Sequence, residues 1–306
     1  MMRLTVLFAS LCIPASAAPL VPLSNADFAA SVSRVSVQTS VLSAKFMAAS
    51  IDIQDAQIVA SMREQNPEVR IAALKYARST PRIQHAVVRQ QVSAMAANES
   101  DLDAKVEAVR TLYWVTSPHE TQQLLFRLAR QDQSPRVRSM AYKAQHTIAS
   151  HTSTIASDIV KEFGSETDLE VQKAAVWALF ESGGFPIVRD TLLRVSADAD
   201  LDQGLRVAAV KSLYGAMQYS EIWHGMLRLA NDATQPKDLR LAAILVLNGS
   251  NSSEVIHPIE ALLRNSDPDV RAAALQAAGN LTPELRRFFH LGYTVANQYI
   301  SPIENE

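Results

Sequence analysis

The stretch that decides the fold of this chain reads Asp267-Pro268-Asp269-Val270-Arg271-Ala272-Ala273-Ala274. Its pattern is an acidic residue, a hydrophobic residue, an arginine and, three positions later, an alanine. Copies of this pattern recur along the chain, and the alanine serves as a marker of each copy. The markers are Ala73, Ala108, Ala141, Ala175, Ala209, Ala243 and Ala274, at successive spacings of 31 to 35 residues. A fixed period of this length is typical of a solenoid of stacked helix pairs.

Each copy of the motif has the features of the start of the second helix of a pair. Pro67, Pro135 and Pro268 lie two residues before the hydrophobic position, where the first turn of a helix tolerates a proline. Residues 121–130, between two motifs, place leucines on one side at helical spacing. We therefore predict an all-α fold, an α-solenoid of about seven helix-pair repeats with capping helices at both ends.

The first residues have the pattern of a signal peptide. A short positive region ends at Arg3, an apolar stretch follows, and Ala15-Ser16-Ala17 is a small-x-small cleavage site. We predict a signal peptide over 1–17 and an exported protein, either periplasmic or secreted. Cys12, the only cysteine, lies in this segment, so the mature chain would contain no disulfide.

The predicted organisation after the signal has three parts. Residues 18–54 form an N-terminal capping segment, with a strand as the alternative to a helix in part of it. Residues 55–282 form the solenoid, and 283–306 a C-terminal capping helix and tail. Four Asn-x-Ser/Thr sequons lie near the predicted turns, and either chance or glycosylation explains them: Asn98, Asn248, Asn251 and Asn280.

The motif resembles the second-helix signature of HEAT-like repeats, of the short type also found in phycobilisome-lyase subunits. The match is close at 267–274, and also at Asn66-Pro67-Glu68-Val69-Arg70 and Ser134-Pro135-Arg136-Val137-Arg138. The resemblance covers roughly 55–282. It implies that the motif arginine ties neighbouring repeats to acidic residues. It does not imply lyase activity, because repeats of this type have many unrelated roles.

A second resemblance offers an alternative function. Residues 236–290 are similar to the helical domain of lipid-transfer proteins of the vitellogenin type, which would make the protein a carrier of lipid or another hydrophobic ligand. The chain is too short for the lipid-holding sheets of that family, and the N-terminal barrel is missing. The alternative remains open at this stage.

The sequence offers little support for catalysis. It contains no Gly-x-Ser-x-Gly turn, and its histidines do not form a metal-binding spacing. His119-Glu120 is a single pair, whereas the di-iron hydroxylases of HEAT fold need several on facing helices. We expect no enzyme activity, no metal and no cofactor. The net charge of −2 gives no argument for nucleic acid, and no later segment has the length of a membrane span.

One row of residues provides a candidate binding surface. It lies six residues after the hydrophobic position of each motif, on the second helix: Lys75, Arg110, Lys143, Trp177, Lys211, Leu245 and Gln276. If the second helices line the inner surface, the row forms a basic stripe with Trp177 as an aromatic anchor. Trp114 and Tyr214, one turn further, extend it or pack between repeats. We predict that the stripe binds a protein or peptide and selects an acidic one; the alternative is an ordinary solvated helix face.

Overall fold

The computed structural model of the protein describes residues 49–250 and 252–281, which contain helices, turns and bends and no strand. Seven helix pairs follow one another, as the sequence predicts. They are α1–α2 (Ile51–Ser61, Pro67–Ser79), α3–α4 (Ala86–Asn98, Leu102–Leu112), α5–α6 (His119–Gln131, Pro135–Ala144), α8–α9 (Ser153–Phe163, Leu169–Ala178), α10–α11 (Pro186–Ala197, Gln203–Ser212), α12–α13 (Ser220–Asn231, Lys237–Val246) and α14–α15 (Ile256–Leu262, Pro268–Leu281).

The predicted boundaries are only partly within the described residues. The signal peptide over 1–17, the segment 18–48, Asn251 and the tail over 283–306 lie outside them. The first helix begins at Ile51, four residues before the predicted start of the solenoid at residue 55. One further helix, α7 (His146–Ala149), continues the third pair beyond its second helix.

The second helices begin where the sequence supplies a cap or a proline. Asn66 accepts a hydrogen bond from the backbone N–H of Glu68 at 2.9 Å, and Pro67 occupies the first helical position. Asp101 caps α4 through the N–H of Ala104 at 2.9 Å, and Asp168 caps α9 through two N–H groups. These caps satisfy N–H groups that have no partner within the helix.

The marker alanines explain the close packing of neighbouring repeats. All seven of them are fully buried, in one hydrophobic core that runs through every described repeat. A small side chain at this position lets adjacent second helices approach closely, which larger side chains would prevent. The turn at 182–184 is equally tight, because a Cβ on Gly183 would lie 2.5 Å from the Cβ of Ala216 in the next repeat.

The packing also identifies the inner layer of the solenoid. Each second helix contacts the next second helix extensively, whereas successive first helices contact each other much less. In a curved stack, the layer with the closer neighbours lies on the inside. Because the second helices have the closer neighbours, we assign them to the inner surface of the solenoid, a face of the kind that solenoid proteins use for binding.

Candidate functional site

The motif arginines belong to the framework of the fold. Arg138 on α6 donates from Nε and Nη2 to the carboxylate of Glu166, at 3.0 and 3.2 Å, across the boundary to the next repeat. Its Nη1 also donates to the carbonyl of Asp132 in the preceding turn at 3.0 Å. Arg206 makes the corresponding contacts with the carbonyl of Ser196 and with Gln235. Arg138 therefore joins two repeats through an acidic residue, as the resemblance implies, whereas Arg206 joins them through an amide.

Hydrogen bonding at this repeat boundary changes the pKa of Glu166, the acid that pairs with Arg138. The pKa of the Glu166 carboxyl is lowered although its partial burial acts to raise it. The hydrogen bond from Arg138 and backbone N–H donors outweigh that burial, because they stabilise the ionised form. The pair is therefore a structural junction that stays charged at neutral pH.

The row of candidate binding residues follows the inner surface but is not uniformly exposed. Lys75 and Lys211 are exposed, whereas Arg110, Lys143 and Trp177 are half-buried. Each of them lies beside fully buried core residues such as Leu74, Val109 and Val210. The row is thus the accessible edge of the inner helices, and its members differ from repeat to repeat, whereas the marker position is alanine in all seven.

The first part of the row surrounds a buried carboxylate that the sequence reasoning did not single out. Glu107 on α4 is only 7% exposed, and its Oε1 lies 3.1 Å from Nη1 of Arg78 on α2. Its Oε2 lies 3.7 Å from Nε of Arg110. Burial raises the pKa of Glu107, and the positive charges of Arg78, Arg110 and Lys75 act in the opposite direction. We call Lys75, Arg78, Glu107 and Arg110 the basic cluster.

The second part of the surface is aromatic. The ring of Trp177 lies 4.8 Å from the ring of His146, and the ring of Phe180 lies 6.4 Å from that of Tyr214, nearly parallel to it. His146 also approaches Phe180 at 6.0 Å between ring centroids, so the contacts run through three repeats. Distances in this range are typical of favourable aromatic pairs.

The sequence contains a signal for these rings that was missed. Three residues after the row, the repeats carry Tyr113, His146, Phe180 and Tyr214, which we call the aromatic ridge. The ridge follows the row by three residues and lies just beyond the last residue of each second helix, at the start of the connection to the next pair. Only Tyr214 of the ridge was among the predicted binding residues.

His146 and Glu181 form an unusual junction beside the ridge. The Nε2 of His146 lies 3.7 Å from Oε2 of Glu181, and its buried Nδ1 has no hydrogen-bond partner among the described residues. Burial lowers the pKa of His146, and the charge of Glu181 opposes this shift. Glu181 itself has φ 66°, a left-handed conformation that a residue with a Cβ adopts at a cost.

The remaining predicted residues have simpler surroundings. Trp114 is half exposed in the second repeat, where its ring meets Tyr113 edge-on at 5.3 Å between centroids. His119 and Glu120 are exposed at the start of α5, and His119 contacts the side chain of Gln123. Asn98 is exposed at the end of α3, whereas Asn248 has a buried side-chain oxygen.

Two clefts lie at repeat boundaries away from the row. One of about 220 Å³ is lined by Arg130, Arg138, Tyr142 and Glu162, and burial raises the pKa of Tyr142 to about 12. Another of about 400 Å³ includes the ion pair of Lys105 with Asp132, 2.7 Å long. Both clefts are formed largely by residues that join repeats.

Over 49–250 and 252–281, no three His, Cys, Asp or Glu side chains come together as potential metal ligands. Within the same ranges, none of the helices combines the length and the apolar character that a bilayer crossing requires.

Comparison with solved structures identifies the class of repeat. A structure of Kap95p with RanGDP aligns with 81% of this chain and 36% of its own, at 15% identity and a TM-score of 0.51. The fold is that of a HEAT-like repeat solenoid. YibA from E. coli aligns with 89% of this chain and 98% of its own, at 14% identity and a TM-score of 0.49. Human deoxyhypusine hydroxylase aligns with 74% of this chain and 95% of its own, at 15% identity and a TM-score of 0.37.

The similarity to known proteins is limited to the HEAT-like fold. No protein-family model matches the sequence, and no curated protein is significantly similar to it. At these identities a shared fold carries no activity or ligand from one protein to another. Function therefore has to be inferred from the residues of this chain.

Proposed function

We propose that the protein is an exported HEAT-repeat scaffold that binds a protein or peptide on its inner surface. The proposal is supported by one observation: some residues of the second helices join repeats, whereas others are exposed at the surface. Three motif arginines form contacts between repeats, whereas Lys75, Lys211 and Tyr214 present exposed side chains. Binding, without catalysis, is the activity that such a surface serves best.

The surface combines the two elements that protein interfaces favour. Trp177, Phe180 and Tyr214 provide aromatic area that is already held in place by neighbouring rings, so little side-chain entropy is lost on binding. Lys75, Lys143 and Lys211 place positive charge along the same helices, which favours a partner with acidic residues. Kap95p, which shares the fold, binds RanGDP in its structure; it is a precedent for a solenoid of this class with a protein partner.

The test of the proposal compares two charge-reversal variants with the same change in net charge. The inner variant carries Glu in place of Lys75, Arg110, Lys143 and Lys211. The outer variant carries Glu in place of four exposed basic residues of the first helices: Arg127, Lys161, Arg194 and Arg228. Each variant and the wild type serve as bait for the extracytoplasmic fraction of the source organism, with quantitative mass spectrometry of the captured proteins.

The expected result is a partner captured by the wild type and the outer variant but lost with the inner variant. The helical circular-dichroism spectrum of all three proteins should be the same. Equal loss with both variants would reduce the effect to overall charge, and full capture by the inner variant would overturn the proposal.

Export is a separate part of the proposal and has its own experiment. The motivation is the predicted signal over 1–17, with Ala15-Ser16-Ala17 as the cleavage site. The mature protein should begin at residue 18 or 19 and fractionate outside the cytoplasm. A protein that retains Met1 and stays in the cytoplasmic fraction would contradict this part and leave the binding surface unaffected.

A further inference from the structure

Glu107 breaks the repeat at a position where every other copy is apolar. Three residues before the row, the other repeats carry Ala72, Met140, Ala174, Ala208, Ala242 and Ala273. A carboxylate buried at this position costs free energy unless charged or hydrogen-bonding groups compensate it. An alanine would serve the packing at least as well, so packing gives no reason for a carboxylate here.

Two arginines from adjacent second helices converge on this carboxylate. Arg78 comes from the end of α2 and Arg110 from the end of α4, and each contacts a different oxygen of Glu107. The contacts involve one nitrogen of each guanidinium, which carries five N–H donors. Glu107 thereby places two guanidinium groups side by side on the inner surface.

The cluster is left with unused donors and excess charge. The Nε of Arg110 is a buried donor that makes no hydrogen bond to any described residue, and the Oε1 of Glu107 has only the ion pair with Arg78. Buried polar atoms in native proteins normally have a hydrogen-bond partner. Lys75, Arg78 and Arg110 outnumber the single carboxylate, so the cluster has a net charge of about +2.

We propose that the basic cluster is the site that takes a carboxylate of the partner, an Asp or Glu side chain, with Glu107 as the residue that positions the two arginines. This inference rests on the proposed function and adds the chemical class of one contact. A carboxylate is planar and accepts two parallel hydrogen bonds from a guanidinium. A bound carboxylate would also take the place of hydration water around the two half-buried arginines.

The proposal and simple charge counting predict opposite effects of replacing Glu107 on the binding of an anion. Replacement of Glu107 by Gln raises the net charge of the cluster by one, so electrostatics alone would tighten the binding of an anion. If Glu107 positions the arginines, the same change weakens binding, because an amide presents an N–H group to one of the two cations. The sign of the effect therefore separates positioning from long-range attraction.

The experiment uses the full chain and a fluorescein-labelled peptide of alternating Glu and Gly, measured by fluorescence anisotropy at about 50 mM salt. A peptide with Gln in place of Glu is the uncharged control. We expect Arg110→Ala and Glu107→Gln each to weaken binding of the acidic peptide about tenfold, which corresponds to about 1.4 kcal/mol. Glu181→Gln makes the same charge change elsewhere on the inner surface and should not weaken binding.

A conservative variant separates the binding role from damage to the fold. Arg110→Lys keeps the positive charge but removes the planar guanidinium group. It should therefore recover only part of the affinity lost in Arg110→Ala. Circular-dichroism melting identifies any variant that fails to fold. Tighter binding by Glu107→Gln, or equal affinity of the Glu and Gln peptides, would overturn the proposal. A phosphoserine peptide that binds more tightly than the Glu peptide would overturn the assignment to a carboxylate.

The two proposals fail in different ways. If the acidic peptide binds the wild type, Glu107→Gln and Arg110→Ala equally, the basic cluster is not its site, and partner capture on the inner surface still stands. If the inner charge-reversal variant retains full partner capture, the proposed function fails, whatever the peptide does.

Discussion

Arg70 and Glu99 join the first repeat to the second through two parallel hydrogen bonds, Nε to Oε2 at 2.8 Å and Nη2 to Oε1 at 2.9 Å. The Nη1 of Arg70 also donates to the carbonyls of Glu64 and Gln65, so one guanidinium fixes both a turn and a repeat boundary. Glu99 in turn accepts the backbone N–H of Asp101 at 2.9 Å. The arginine therefore supplies both hydrogen bonds between the repeats at this junction.

Loss of this junction should destabilise the protein strongly. The side chains of Arg70 and Glu99 are 12% and 8% exposed, so Arg70→Ala leaves a largely buried carboxylate without its partner. We expect a loss of about 2–4 kcal/mol in the free energy of unfolding. Arg136→Ala is the control, because Arg136 and Asp103 are 59% and 68% exposed, and such a surface pair contributes at most about 1 kcal/mol. Urea denaturation measures both, and equal effects would contradict the assignment.

Replacement of a marker alanine by a larger residue should destabilise the protein. Ala175 is fully buried between neighbouring second helices, so Ala175→Leu forces them apart or pushes side chains out of their preferred rotamers. The expected cost is about 1–3 kcal/mol. Ala272→Leu lies on an exposed side of α15 and should change the free energy of unfolding little. A melt in which both variants unfold at the wild-type temperature would show that the close approach of the helices is not essential.

The repeat predicted the fold because its signals are local. Prolines, capping residues and apolar residues at helical spacing determine where a helix begins and which face it buries, and all of these occur within one unit. The role of the motif arginine also follows a sequence pattern, since Arg70, Arg138 and Arg206 are each followed by a carboxylate or an amide 28 or 29 residues later. Exceptions are Arg240 and Arg271, for which the contacts described are with backbone carbonyls.

The details of the candidate site depended on contacts between repeats. The burial of Glu107 and the approach of Arg78 come from the stacking of α2 against α4, which the sequence pattern of one repeat does not contain. The left-handed conformation of Glu181 has no sequence signal, because a glutamate does not favour it. The aromatic ridge, in contrast, has a sequence signal, since it recurs in four successive repeats at the same position of the motif.

Glu181 should be replaceable by glycine with a gain in stability. Its φ of 66° places the Cβ in steric conflict with the backbone, a conflict that costs about 1–2 kcal/mol and that glycine does not have. Glu181→Ala keeps the Cβ and removes the carboxylate, so it is the matched control for the loss of charge. We expect Glu181→Gly to be about 1 kcal/mol more stable than Glu181→Ala, as measured by thermal and urea unfolding. Equal stability of the two variants would show that the backbone there relaxes in solution.

His146 should make the protein less stable in mild acid. Burial lowers its pKa below the ordinary value of 6.5, so the unfolded chain binds a proton at a pH where the folded protein does not. Stability contributed by this residue is therefore complete above about pH 6.5 and is lost as the pH falls towards the folded pKa. His146→Phe places at this position the ring that Phe180 provides in the next repeat, and it removes the titration. The difference in unfolding free energy between wild type and His146→Phe, measured from pH 8 to 5, should shift against the wild type as the pH falls. A difference that stays constant across this range would mean that His146 is protonated as readily in the folded protein as in the unfolded chain.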